Sequence, residues 1–220
     1  VAQVETVVGT FNIELFDDTP ITKANFLAYI NAGRYANTIV HRSVPGFVIQ
    51  AGGYFSRLPI EHIPTFPAIR NEYRRSNVRG TVAMAKLDGN PDSATSEWFV
   101  NLADNSANLN NQNGGFTVFG RVIGSGMQIA DAIAALPRSS DNFPLRNLNP
   151  GQVTIEARNL VTVTSVTAVP LYPAGGRSVL TFLAQSSDPS VASVSVSEST
   201  LTITPLASGT SAILIRARDT

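Results

Sequence analysis

Residues 41–53 read HRSVPGFVIQAGG, a run that places a guanidinium and an amide among residues that form sheets. Val44, Phe47, Val48 and Ile49 belong to a buried or half-buried strand, and the Pro45-Gly46 step breaks the ladder. Arg42 and Gln50 are costly in such a setting unless they are hydrogen-bonded or line a wet pocket. The stretch therefore reads as sheet with a polar edge that must have a purpose.

The flanking sequence supplies the rest of a β-rich domain. Upstream, VETVVGTFNIELF alternates around Gly9 as two short antiparallel strands with a tight turn would. TPITKANFLAYINAG then reads as a helix, with Pro20 near its start, Phe26, Leu27 and Ile30 on one stripe, and Gly33 at its end. Downstream, LPIEHIPTFPAI is a proline-rich loop. GTVAMAK, SEWFVNLA and FTVFGRVI are strand-like, and MQIADAIAAL before Pro137 is a second helix. A mostly antiparallel sheet or barrel covered by two helices accommodates this order.

Composition narrows the chemistry. Of 220 residues, 43% are hydrophobic, enough for a core, and 16 basic residues balance 16 acidic ones, so the footprint of a nucleic-acid binder is missing. The absence of cysteine removes disulfides, thiol catalysis and thiolate metal sites. His41 and His62 are the only histidines and lack metal-ligand spacing, so neither a metal nor another cofactor is expected. No apolar run approaches a membrane span, and the opening VAQVET is not a signal segment, although a removed one would leave such a start.

Near residue 168 the composition shifts. Beyond it only six charged residues remain, serine and threonine become dense, and valine alternates with serine in VASVSVSESTLTITPL. The runs RSVLTFLAQ, VASVSVS, STLTITPL and TSAILIRA suit a small all-β, sandwich-like module in which alternation buries one face. The expected organisation is thus a domain over 1–168 and a β module over 169–220.

With these motifs in hand, the first part resembles the cyclophilins, a family of peptidyl-prolyl cis-trans isomerases built on a closed eight-stranded antiparallel barrel with two covering helices. The resemblance runs through VVGTFNIELF, NFLAYINAGRY, HRSVPGFVIQAGG, GTVAMAK, SATSEWFVNLADN and NQNGGFTVFGRVIGSGM to NLVTVTSV, and the wording is nearest to bacterial members. It implies that Arg42 is the catalytic arginine, steadied by Gln50, and that Phe47 and Phe99 form the floor and wall of a proline pocket. Leu109 and Phe116 complete its rim, and Val48 stands where many members have methionine. Ala85 and Lys86 fall where an alanine and an asparagine hold the peptide, largely through backbone groups.

Three positions depart from the family pattern: Lys86 for asparagine, Glu97 for glutamine, and Asn108 for the tryptophan of the best-known eukaryotic members. Two positions before Phe99, Glu97 is expected on the same face, where its carboxylate would pull on the Arg42 guanidinium and an amide would give the faster enzyme. Without the indole at 108, cyclosporin is expected to bind weakly. The implied partners are proline-containing peptides and unfolded proteins. A non-catalytic proline-peptide-binding or chaperone-like module is the alternative that Glu97 and Lys86 raise, and a surface protein working through its tail is another.

The tail resembles bacterial Ig-like or cadherin-like modules, with only about fifty residues where such sandwiches need nearer a hundred. That resemblance implies a periplasmic, secreted or cell-surface protein, with the cytoplasm as the alternative. His41, next to Arg42, is expected on the opposite face as a hydrogen-bonded structural residue. His62 belongs to an exposed loop, Trp98 to the core or barrel exterior, and Arg70, Arg74, Arg75 and Arg79 to a solvated loop near the barrel mouth. Gly52-Gly53 and Gly114-Gly115 are turn or close-packing glycines, because no phosphate-loop frame surrounds them.

Overall fold

In the computed structural model, which describes residues 1–170, 181–197 and 200–218, the alternating segment around Gly9 is an antiparallel hairpin of β1 (Ala2–Thr6) and β2 (Thr10–Leu15). Ala2, Val4, Phe11 and Ile13 turn inward and are buried. The helix α1 (Pro20–Asn31) follows, with proline in the first turn, where its missing N–H breaks no helical bond. Its buried stripe includes Phe26 and Ile30 as expected, but Tyr29 takes the place of Leu27, which is only half-buried.

Thr19, before the helix, gives no side-chain cap. The cap comes from fifty residues away: the Glu72 carboxylate accepts from the backbone N–H of Thr22 at 2.8 Å, the Thr22 hydroxyl at 2.9 Å and the N–H of Ile21 at 3.3 Å. A carboxylate at a helix N-terminus satisfies orphan donors and meets the positive end of the helix dipole.

The stretch that opened the sequence reading becomes β3 (Thr38–Val44) and β4 (Val48–Phe55). Pro45 and Gly46 occupy the centre of the connecting turn, and Gly46 has φ 73°, as the third position of a type II turn requires. β5 (Thr81–Met84), β6 (Trp98–Asn101), a one-turn helix α2 (Ser106–Leu109), β7 (Val118–Ile123), α3 (Gly126–Ala134) and β8 (Thr162–Ala168) complete the first unit. The eight strands close an antiparallel barrel in the order β1-β2-β7-β5-β6-β4-β3-β8. The short helix α2 was not foreseen, since four residues show no helical period.

Alternation along the strands separates two apolar clusters. Val82, Met84, Trp98, Val100 and Phe119 join the main core with Phe26, Tyr29 and Ile133 of the covering helices. On the opposite face Ala83 and Phe99 meet Val48, Val118 and Leu109, with Phe16, Phe47, Ala85 and Phe116 half-buried around them.

The chain divides into units Val1–Leu171 and Tyr172–Thr220, three residues beyond the change in composition at 168. Val169 is still tied to the barrel, its N–H donating to the Val1 carbonyl at 2.9 Å. The second unit contains β9 (Thr181–Ser186), β10 (Ala192–Ser197), β11 (Thr200–Pro205) and β12 (Ile213–Arg218), paired as two two-stranded antiparallel sheets, β10 with β11 and β9 with β12. The expected strand RSVLTFLAQ begins outside the described residues. Burial is shallower than the alternation suggested: along β10 the valines are half-buried and the serines exposed, while Leu183, Ile203, Leu214 and Ile215 are each at least half exposed.

Replacing Glu72 by alanine removes the distant cap. Glu72→Ala is expected to lower the unfolding free energy of the barrel unit by about 1 to 2 kcal/mol in urea titrations.

Candidate active site

The second apolar cluster is the floor of a cavity of about 350 Å³ lined by Arg42, Phe47, Val48, Gln50, Ala85, Lys86, Phe99, Asn108, Leu109, Gln112 and Phe116. Ten of these are residues singled out from the sequence. Gln112 is the addition; it sits in the asparagine-rich loop, where neither spacing nor alternation marks it. Glu97 lies outside this cavity and lines an adjoining groove with Gln50, Ala85, Lys86, Leu87, Ser93 and Thr95.

Arg42 and Gln50 are direct cross-strand partners on β3 and β4. Arg42 is half-buried, its guanidinium carbon stands 5.8 Å from the centre of the Phe47 ring, and it has no ion-pair partner among the described residues. Phe99 and Phe116 meet edge to face at 5.8 Å and 70°. Their edges and the buried Val48 and Leu109 offer a ring-sized apolar slot beside a free cation.

Two expectations about Gln50 and Glu97 are corrected. Gln50 makes no side-chain hydrogen bond to Arg42; its amide nitrogen donates to Glu97 Oε2 at 2.7 Å. Glu97 does not engage Arg42 either, because the same oxygen lies 3.3 Å from His41 Nε2. Burial alone would push the Glu97 carboxyl up, but the hydrogen bonds and positive field of His41, with the Gln50 amide and His62, hold it below the ordinary glutamate range. It is therefore an ionised acceptor at neutral pH.

The cause lies in the backbone. Val40 pairs with Ala51 and Arg42 with Gln50, so β3 carries one extra residue, His41, in a bulge. The bulge interrupts the pairing register there, and His41 meets Glu97 and packs edge-on against Tyr54 at 4.9 Å. It is buried, with Nε2 within 3.3 Å of the Glu97 carboxylate and Nδ1 without a partner. Trp98 lies in the main core, and His62 is exposed with its ring 4.1 Å from that of Tyr54.

Lys86 reaches across the mouth of the asparagine-rich loop. Its ammonium donates to the carbonyls of Asn113 at 2.6 Å and Gly115 at 2.8 Å and lies 4.7 Å from the Phe116 ring centre. Burial pushes its pKa down, with Asp92 opposing. Behind the wall, a chain of buried amides ties the cavity together. Asn105 donates to the Phe47 carbonyl at 2.9 Å and to Asn101 Oδ1 at 2.8 Å, Asn101 donates to Asn77 Oδ1 at 3.2 Å, and Asn77 donates to the Phe116 carbonyl at 3.0 Å. Of the four arginines of the 70–79 loop, Arg75 pairs with Asp18 at 2.9 Å and Arg79 with Asp131 at 2.6 Å, while Arg70 and Arg74 are exposed.

The closed antiparallel barrel thus bears a ring-sized apolar cavity edged by Arg42, which has no ion-pair partner among the described residues. Residues 1–154 match the family described as cyclophilin type peptidyl-prolyl cis-trans isomerase, and the chain belongs to that family. It is 41% identical over 142 residues to a peptidyl-prolyl cis-trans isomerase of Acinetobacter baylyi, spanning 63% of this chain and 73% of that protein. It is 37% identical over 160 residues to peptidyl-prolyl cis-trans isomerase A of Dickeya dadantii, spanning 71% and 82%. The fold is shared with a Cryptosporidium parvum cyclophilin type peptidyl-prolyl cis-trans isomerase solved in the presence of the dipeptide Ala-Pro, at TM-score 0.59 and 21% identity over 77% of this chain and 98% of that one.

Asn105→Ala breaks the amide chain at its first link and leaves Asn101 Oδ1 buried without that donor. The expected loss of stability is about 1 to 3 kcal/mol, read by urea unfolding.

Proposed function

We propose that the chain accelerates cis–trans isomerisation of X-Pro bonds in peptides and unfolded proteins by binding the twisted amide more tightly than either planar form. An amide loses resonance as it twists, which sets a barrier of about 18 to 20 kcal/mol, whereas the two end states of an X-Pro bond differ by only about 0.5 to 1 kcal/mol. No nucleophile, metal or acid–base pair is needed for that step; differential binding suffices. The observation that carries the reading is the half-buried Arg42, unpaired among the described residues, at the edge of the Phe47, Phe99, Leu109 and Phe116 slot.

In this reading the aromatic slot holds the pyrrolidine ring, and backbone groups near Ala85 and Lys86 anchor the residue before proline. Arg42 donates to the swinging carbonyl or to the pyramidalising proline nitrogen. A charged donor already in place, in a cavity with apolar walls, needs no reorganisation at the transition state. Every group in this account lies in the barrel unit. The tail, read as an incomplete Ig-like or cadherin-like module, supports a periplasmic, secreted or cell-surface setting. No helix among the described residues is long and apolar enough to cross a membrane.

Arg42→Ala is expected to lower kcat/KM for a short X-Pro peptide at least about tenfold with the fold retained, since loss of one preorganised donor costs several kcal/mol in other enzymes. Arg42→Lys should recover only part of it, an ammonium lacking the planar fork. Unchanged turnover in Arg42→Ala would remove the arginine from the mechanism. Cyclosporin is expected to inhibit weakly, about a hundredfold less tightly than members with tryptophan at position 108, because the exposed Asn108 offers a donor but little contact area. Inhibition of the same assay at nanomolar drug would contradict this.

A further inference from the structure

Glu97 is anchored on three sides without touching the cavity. Oε2 accepts from Gln50 at 2.7 Å and faces His41 Nε2 at 3.3 Å. Oε1 occupies the space over Gly53, where a Cβ would stand 2.5 Å from it. Gly53 does not have a positive φ, so the reason for glycine there is room for this carboxylate rather than backbone conformation.

The chemistry of the pair is asymmetric. An ionised carboxylate only accepts, so it dictates which end of the Gln50 amide faces it: the NH₂ must, and the carbonyl oxygen must point the other way. Gln50 lines both the side groove and the main cavity, and its carbonyl oxygen takes no hydrogen bond from the described residues. A glutamine at 97 would present donor and acceptor alike and leave both orientations of Gln50 open.

We infer that Glu97, braced by His41 and seated over Gly53, is a positioning residue that locks the Gln50 amide with its oxygen as a fixed acceptor on the Arg42 side of the cavity. This rests on the isomerase reading for its consequence but not for its geometry. Gln50 is the cross-strand partner of Arg42, whose guanidinium has five donors and no acid among the described residues, so an oxygen held there can orient that guanidinium or receive a substrate N–H. The direction of the effect is opposite to the one expected from sequence: since the carboxylate serves Gln50 and does not draw on Arg42, an amide at 97 makes a poorer enzyme.

The test uses the full chain and has two arms. In the first, NMR of the Gln50 side-chain NH₂ reads the lock directly. One strongly shifted, slowly exchanging proton is expected in the parent, lost in Glu97→Gln and in Gly53→Ala, which pushes the flexible carboxylate aside without straining the backbone. In the second, kcat/KM on one X-Pro peptide, followed by NMR exchange, is expected to fall three- to tenfold in Glu97→Gln, and less than 1.5-fold when the same change is made in a Gln50→Ala background. A purely structural role would give equal losses in both backgrounds and overturns the inference, as does a Glu97→Gln protein at least as fast as its parent. A parent whose Gln50 NH₂ exchanges like a free amide overturns it whatever the kinetics. A parent with no isomerase activity would instead refute the isomerase reading, and the amide signature then decides the lock alone.

Discussion

The chain of buried asparagines beneath the cavity is the constraint on which the site depends. The cavity walls come from distant parts of the sequence: Phe47 from the turn after β3, Leu109 from a single helical turn, Phe116 from the end of an irregular loop. None is held by a ladder at its own position. The amides of Asn105, Asn101 and Asn77 run from the Phe47 carbonyl to the Phe116 carbonyl, with Asn110 accepting from the Asn77 amides and Asn71 donating to the carbonyls of Gly114 and Gly115. Buried polar groups are costly when unpaired and stiffening when satisfied. A chain in which each amide has its partner therefore fixes the spacing of the walls more strictly than apolar packing alone, which tolerates substitution of like for like.

The barrel supplies the second half of the arrangement. A sheet closed on itself has one face committed to the core, so any side chain on the other face must be exposed or covered by a loop. Phe99 is on that other face because Trp98 and Val100 are on the first, and the loop carrying Leu109 and Phe116 covers it. The site is thus an apolar surface left partly open, and Arg42 and Gln50 lie along its margin by cross-strand pairing.

Much of this was legible in the sequence, and the failures have definite causes. Alternation around Gly9, the Pro45-Gly46 turn and the Pro20 to Gly33 frame each placed an element because a local rule decides it. Ten cavity residues followed from family motifs, which preserve spacing. What could not be read were interactions between side chains far apart in sequence: Glu72 capping α1, the asparagine chain, and Gln112, which has no periodic neighbours. Glu97 was misread for a subtler reason. Glu97 precedes β6, and the bulge at His41 and the missing side chain at Gly53 give its carboxylate partners other than Arg42.

The fate of the arginines shows why that matters. Arg57, Arg75, Arg79, Arg121 and Arg158 each pair with a carboxylate in solvent, where such pairs contribute little to stability. Arg42 is half-buried beside an apolar slot, where an acid would be both near and poorly screened. Glu97, lining the groove beside the cavity, is engaged by His41 and Gln50 instead. In the inference drawn above, its negative charge bears on the site through the Gln50 amide, whose NH₂ it holds. With no carboxylate ion-paired to it among the described residues, the Arg42 guanidinium keeps its donors free; in the proposed reading they suit a proline nitrogen whose lone pair localises as the amide twists, because loss of resonance returns electron density from the carbonyl oxygen to nitrogen.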